Sequence, residues 1–374
     1  MSLSNTFNNL ESDIDDYSPR PDFNVEVGGQ VLTVVNDRVM SLSLTDNRGL
    51  TADTVEVVLD DSDGKLALPS RGTEIRVAMG WKGQPLVFKG SFTVDEITYQ
   101  GAPDTLTISA RSADFRETFN VKRERSWHNC TVGYVVSAIA SQYGLKAGLN
   151  EDLGKVEIDH ADQTNESDVS FLTRMGEMLN AVPMIKNGML LFIIPGMAQS
   201  QSGKLLPVTT LTRKSGDRFT FSIADRDAYT GVEAFWLDEK FGKKKKVSVR
   251  GHRKTKKTQP ASSSKTGHYL DGAEGNVYVM RQTFKTEHAA RRGADAKWCK
   301  LKRGAAQFSL ILARGQAELY PELHAQLQGF KSTIDEADWI ITRATHNIDD
   351  NGFTTSLEFE VKITDWVTTA TVEE

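Results

Sequence analysis

The chain has only two cysteines, Cys130 and Cys299, in 374 residues. Two thiols so far apart give neither a disulfide framework nor a metal-ligand spacing, and they read as small buried hydrophobes. Long apolar runs are also missing. The strongest, Met189 to Ile194, is far short of the roughly 20 residues a membrane helix needs, and the amino terminus lacks a basic-then-apolar signal pattern. The expectation is a soluble protein made in the cytoplasm, with no membrane partner. There is no GxxxxGK[ST] or GxGxxG phosphate cradle and no GxSxG elbow.

Net charge is small, but it is unevenly spread. The formal total is −5 and the stretch Phe241 to Gly267 carries ten Lys or Arg and no acid, so the rest of the chain sums to −15. A nucleic-acid binder usually carries a basic domain rather than one basic segment on an acidic body. The stretch falls between TGVEAFWLD and GNVYVMRQTF, so it reads as an inserted basic loop, 241–267, with KKVSVR extending a hairpin. Its candidate contacts to a charged partner are Lys243, Lys244, Lys245, Lys246, Arg250, Arg253, Lys254, Lys256 and Lys257. A nucleic-acid-binding module using segment 243–257 is the alternative function. No aromatic residue for base stacking lies between Lys243 and Lys257, which leaves only sequence-blind attraction.

Short alternating segments dominate what is present. After a polar, acidic arm (1–21), the segments FNVEVGG, RVMSLSLTD, TVEVVLDD, EIRVAMGW, SFTVDEITYQ and DTLTISARS show period-two alternation broken by Gly, Pro, Asp or Asn. They predict an antiparallel barrel or sandwich over 22–115. In 116–198 the period changes. Val132, Val135, Val136, Ile139 and Ala140 share one helical face, with Thr131 to cap the start and Gly144 to end it; a second helix is expected over Ser167–Asn180. MIKNGMLLFII follows as a hairpin turned at Asn187-Gly188, so this part is a small α/β module. Strands resume in 199–374, interrupted by a helix over 286–303, and close with the pair DWIITRATHNI and FTTSLEFEVKI. The fold class is thus mixed but mainly β: two β-domains with an inserted α/β module.

The two β-domains echo one another. Gly80-Trp81-Lys82 precedes Phe92-Thr93-Val94 and the strand Leu106–Ala110, and Gly329-Phe330-Lys331 precedes Trp339-Ile340-Ile341 and the strand Thr354–Val361.

Ionisable groups are scattered. Asp60-Asp61-Ser62-Asp63-Gly64 resembles the start of a calcium loop but has no Glu at the twelfth place, so it reads as a strand-ending turn. His160 with Asp159 and Asp162 is expected in a loop before the second helix, more simply polar than metal-binding. His346 reads as a packed or hydrogen-bonded strand residue. Asp95 and Glu96 are strand neighbours pointing to opposite sides, which cannot flank one bond. Nothing converges into a catalytic set, so no catalytic residue, cofactor or metal is expected. A cell-wall-degrading enzyme is correspondingly disfavoured.

Five stretches in order resemble the late control protein D family, the baseplate hubs of contractile-tailed phages, related to the amino-terminal hub part of VgrG. They are PDFNVEVGGQ, VEVVLDDSDGKLALPSRGTEIRVAMGW, ISARSADFRETFNVKRERSWHN, QTNESDVSFL and GFKSTIDEADWIITRATHNIDDNGFTTSLEF. The resemblance implies a structural homotrimer in which each chain supplies two similar β-barrels. Its partners would be the hexameric tail tube protein and the trimeric central spike protein, with the tape measure protein a further candidate. It also implies assembly in the host cytoplasm, residence in the virion tail baseplate, and DNA passing at most transiently through the lumen. The basic segment would then face an acidic partner, the acidic arms Glu11 to Asp16, or the DNA path.

Overall fold

A computed structural model describes residues 19–28, 30–31, 37–112, 117–196, 206–223, 229–238, 241–253, 275–362 and 366–373. The acidic arm up to residue 18, including Glu11 to Asp16, and Lys254, Lys256 and Lys257 lie outside the described residues.

The first alternating segments form β1 (Pro21–Val27), β2 (Gln30–Val31), β3 (Val39–Asn47), β4 (Thr54–Asp60), β5 (Glu74–Trp81), β6 (Val87–Gln100) and β7 (Thr105–Ser112). Period-two sequence buries one face: Val55, Val57 and Leu59 are inside, while Thr54, Glu56 and Asp60 are exposed. The expected turn after β4 is held by its own polar groups. Asp60 Oδ1 accepts from Ser62 N at 2.9 Å, Asp61 Oδ1 accepts from Leu66 N at 2.9 Å, and the Arg38 guanidinium forks onto both Asp63 oxygens at 2.6 Å.

The module follows with β8 (Lys122–Thr131), α1 (Val132–Gln142), β9 (Lys146–Leu149), β10 (Glu157–Ser167), α2 (Asp168–Leu179), β11 (Val182–Lys186) and β12 (Met189–Ile193). Thr131 Oγ1 accepts from Tyr134 N at 3.2 Å, and Ser167 caps α2 by accepting from Ser170 N at 3.2 Å. Asn180 ends α2 in the left-handed region at φ 52°. Asn187 (φ 51°) and Gly188 (φ 73°) make the expected two-residue turn between β11 and β12. His160 lies in β10, paired opposite His128 of β8, rather than in a loop. The alternation there is polar on both sides, so it carries no hydrophobic signature of a strand.

The remaining strands are β13 (Val208–Thr212), β14 (Gly216–Ile223), β15 (Gly231–Asp238), β16 (Lys243–Arg253), β17 (Val277–Phe284), β18 (Ala306–Leu312), β19 (His324–Gln328), β20 (Asp338–Asp349), β21 (Gly352–Val361) and β22 (Trp366–Glu373), with α3 (Glu287–Arg303) after β17. They divide between two sheets. Four of them, in the order β17-β15-β16-β22, form a separate sheet under α3, where Val232, Ala234, Val247 and Val249 pack on Ala290, Ala294 and Trp298.

This corrects the expected loop over its described part, while the expected hairpin extension by KKVSVR is present as the antiparallel pair of β15 and β16. Lys243–Arg253 is an inner strand, paired with β15 on one side and β22 on the other. Like-charge repulsion is outweighed by burial of Val247 and Val249, each 0% exposed, and by acids on the neighbouring strand. Gly251 completes the fit, because a Cβ there would lie 1.9 Å from Cζ2 of Trp298. Hydrophobic burial of two valines, about 1.5–3 kcal/mol each, exceeds what a few solvated lysines lose by proximity.

All other strands of the two β-regions join one 13-stranded sheet. The joint is an antiparallel pair of β3 with β20, from Leu42 opposite Ile348 to Asn47 opposite Arg343. Around it the echo seen in the sequence becomes a repeat of architecture. The first region runs β3-β4-β7-β6-β5-β1 and the second runs β14-β18-β21-β20-β19-β13, so strands of the same rank along the chain occupy the same places.

Irregularities repeat as well. The β3:β4 ladder slips between Val39 and Ser41, and β14:β18 slips between Gly216 and Arg218. The β6:β7 ladder slips between Val94 and Glu96, and β20:β21 slips between Ile341 and Arg343. Aligning either slip brings the other into alignment through the intervening registers, matching Val55 with Phe308 and Val57 with Leu310. Bulges are specific features rather than noise. One difference separates the regions: β1 pairs β5 antiparallel, whereas β13 pairs β19 parallel. Strands β15, β16 and β17 and helix α3 are inserted between β14 and β18, where the first region has only a short turn between β3 and β4, and β22 joins their sheet from after β21.

Candidate interaction surfaces

The basic strand presents its cations on two sides. Lys244, Lys246 and Arg250 alternate with the buried valines and therefore project from the face away from α3. On that face Lys246 Nζ is 3.2 Å from Glu233 Oε1, and Lys244 Nζ stands 4.3 Å above the Phe235 ring. Lys245 Nζ is 3.2 Å from Asp238 Oδ2 and 5.7 Å from the rings of Trp236 and Phe241. Lys243 and Arg250 are exposed, and Arg253 ends the strand. The described candidate residues therefore share one strand, but part of their charge is balanced within the sheet.

Charged side chains missed in the sequence are buried at the joint between the two β-regions. Lys89 of β6 is 2.7 Å from Asp46 of β3 and donates to the carbonyls of Ala317 at 3.1 Å and Leu319 at 3.3 Å. Three donors thus meet three acceptors. His346 of β20, 0% exposed, completes the cluster. Gln316 N donates to Thr355 Oγ1 at 3.0 Å, and the same hydroxyl is hydrogen-bonded with His346 Nδ1, also at 3.0 Å. His346 Nε2 lies 3.2 Å from Leu319 O and 3.1 Å from Lys89 Nζ, which also acts on the ring as a neighbouring positive charge. Burial, followed by Lys89, lowers the His346 pKa to about 3 against the opposing pull of Asp46. Strand parity marks Asp46 in retrospect, since it follows Leu42 and Leu44 at inward positions. No such signal marks Lys89, which sits beside the slip in β5:β6.

A second buried network ties the module to the sheet. Arg48 pairs with Glu322 at 2.5 Å and with Glu360, Arg303 reaches Glu360 at 3.4 Å, and Glu322 also accepts from Gly196 N at 3.0 Å. Lys186 of the module pairs with Asp53 beside β4. Burial raises the carboxyl pKa of both Glu322 and Asp53, against the pull of their cations. These contacts fix relative positions, and Arg48, Arg303 and Glu360 also line a cleft of about 360 Å³ beside Val182 and Pro183.

On the surface, His160 Nδ1 is 3.0 Å from His128 Nδ1, and its Nε2 is 2.8 Å from Asp162 Oδ2. Asp159 is not part of this cluster, and among the described residues no three His, Cys, Asp or Glu side chains are placed to hold a metal ion. A cleft of about 800 Å³ lies nearby, between β10 and α2 on one wall and β17 with the start of α3 on the other. Cys130 and Cys299 are free and half-buried rather than fully buried, and burial pushes both thiols up. No described helix is long and apolar enough to cross a membrane.

Edges are the remaining feature. Among the described residues the large sheet ends at β14, which pairs only with β18, and the half of β6 from Glu96 to Gln100 pairs only with β7. Both carry exposed large apolar side chains: Tyr99 on β6, and Phe219 and Ile223 on β14. An open strand edge is a pairing surface.

Comparison with known proteins gives these features a setting. The model of the phage tail baseplate hub (GPD) family matches residues 50–352. The chain is 46% identical over 365 residues to a probable baseplate hub protein of Escherichia phage 186, covering 92% of this chain and 94% of that one. A 43 kDa tail protein of prophage MuSo2 from Shewanella oneidensis shares the fold, with a TM-score of 0.63 at 13% identity over 91% of this chain and 98% of that one. So does the Escherichia coli c3393 protein, a type VI secretion component with structural similarity to the T4 tail proteins gp27 and gp5. Its TM-score is 0.54 at 11% identity, over 90% of this chain and 76% of that one. The chain belongs to the phage tail baseplate hub (GPD) family.

Proposed function

We propose that the chain is the trimeric adaptor of a contractile tail, assembled in the host cytoplasm and joining a hexameric tail tube to a trimeric central spike. The observation that supports this reading is the repeat of strand order and bulges between the two β-regions. A three-fold object meets a six-fold tube on near-equivalent surfaces when each subunit carries two similar units. The domains 22–115 and 199–374, each curled as a barrel on its own core, would be those units, with the module 116–198 outside them. The tape measure protein is a further candidate neighbour.

Native mass measurement on the purified chain, alone and with candidate tube and spike proteins, tests the reading. The expected species contains three chains of 41.4 kDa, about 124 kDa, and binds both partners. A chain that stays monomeric and binds neither would overturn it.

Within the ring, the face of β16 that carries Lys244, Lys246 and Arg250 is proposed to meet an acidic partner. Changing Lys243, Lys244, Lys245 and Lys246 together to Ser removes two half-buried ion pairs, Lys245–Asp238 and Lys246–Glu233, so the melting profile is measured alongside assembly. The expected result is failure to assemble into tails despite a native melting profile; full assembly and infectivity would discard the role. The nucleic-acid alternative draws no support from this strand, because Glu233 and Asp238 balance part of its charge.

A further inference from the structure

We infer that the chain closes on a second copy of itself by strand addition, β14 of one copy pairing antiparallel with the open half of β6 in the next. The inference rests on the trimeric reading and names its contact. The pattern is already built once inside the chain. Strand β20, the counterpart of β6, pairs β21 along its whole length but β19 only up to Ile340, and the half beyond Arg343 is taken by β3. Strand β3 is the counterpart of β14. In the first region β6 is likewise paired with β5 only up to Thr93, and among the described residues the half beyond Glu96 has no strand on that side. Strand β14 correspondingly ends the sheet. Each copy thus offers one donor edge and one acceptor edge at different places, a heterologous arrangement that closes into a ring.

Aligned bulges fix the register. The slip at Val94/Glu96 matches that at Ile341/Arg343, so Thr98 stands where Thr345 does and Tyr99 where His346 does. The slip at Val39/Ser41 matches that at Gly216/Arg218, so Ser222 stands where Thr45 does and Phe221 where Leu44 does. Inside the chain Thr45 faces Thr345, their hydroxyls 3.2 Å apart. Transferred to the joint between copies, Ser222 faces Thr98, Phe221 faces Tyr99, and Ile223 faces Ile97. The chemistry suits this register: two hydroxyls meet on one face, while an aromatic pair and an isoleucine pair meet on the other. It would also cover Tyr99 and Ile223, which are 51% and 43% exposed in the single chain. A slip of one residue would set hydroxyls against the apolar row, so the register is specified.

Cysteine cross-linking in assembled tails tests the contact. Thr98→Cys combined with Ser222→Cys should, on mild oxidation, give a ladder of linked chains ending at the trimer. Either substitution alone should not, and Thr98→Cys with Thr220→Cys, two residues out of register, should link far less. As a check without substitution, amide exchange in 96–100 and 216–223 should slow on assembly. A trimeric native mass with no 98–222 link, or with unchanged exchange at both edges, would overturn this contact while leaving the trimeric adaptor intact. A chain that never trimerises would overturn both.

Discussion

Lys89→Met is expected to destabilise the chain by about 3–5 kcal/mol, the cost of leaving a buried charge without its partner. Asp46 is 6% exposed, and its other cation, Lys186, stands at 3.9 Å, too far to replace a contact of 2.7 Å. The substitution also leaves the carbonyls of Ala317 and Leu319 without their Lys89 donor. Because Lys89 belongs to the first β-region and those carbonyls to the second, the loss falls on the joint between them. Denaturant unfolding measures the effect. Adding Asp46→Leu should recover most of it, since removing both charges is far cheaper than removing one. Destabilisation below about 1 kcal/mol would mean that the cluster is hydrated and does not pin the joint.

His346 makes the same joint sensitive to acid. Its folded pKa, about 3, lies below the 6.5 of an unfolded histidine. Between these values the unfolded chain binds a proton that the folded chain refuses, so the contribution to stability is fully present above about pH 6.5 and is lost as pH falls toward 3. The integrated loss is about 2–5 kcal/mol, of which about 2–3 falls between pH 7 and 4.5. His346→Gln should remove that part of the pH dependence. Equal slopes for the parent and the variant would show that the imidazole takes up its proton without unfolding the joint. In Lys89→Met the slope should shrink as well, because the neighbouring positive charge that opposes protonation is gone.

Much of the fold can be read from local pattern. Alternation located most strands of both β-regions, though not β13 or β22, and Thr131, Ser167 and Thr286 stand at the helix N-caps that their side chains suggest. Even the internal repeat left traces in Gly80-Trp81-Lys82 and Gly329-Phe330-Lys331. What could not be read is pairing between distant segments. Parity tells which face of β3 is buried but not that β20, about 300 residues away, is its neighbour. The basic stretch misled for a related reason. Charge density suggests a solvated loop, and only α3 with Trp298, supplied from elsewhere, makes burial of Val247 and Val249 outweigh it. Scattered ionisable groups argued against catalysis, and the family is structural. The joint cluster stayed hidden because a buried lysine is recognisable only once its acceptors are assembled around it.

In the proposed ring three chains present six like units, and a cryo-EM reconstruction of the tail tip at side-chain resolution tests this most directly. The predicted result is a ring of three copies in which the regions 22–115 and 199–374 alternate at one radius. In that ring, β3:β20 joints within chains should alternate with β14:β6 joints between them. A ring of six copies, or one in which the two regions lie at different radii, would contradict it.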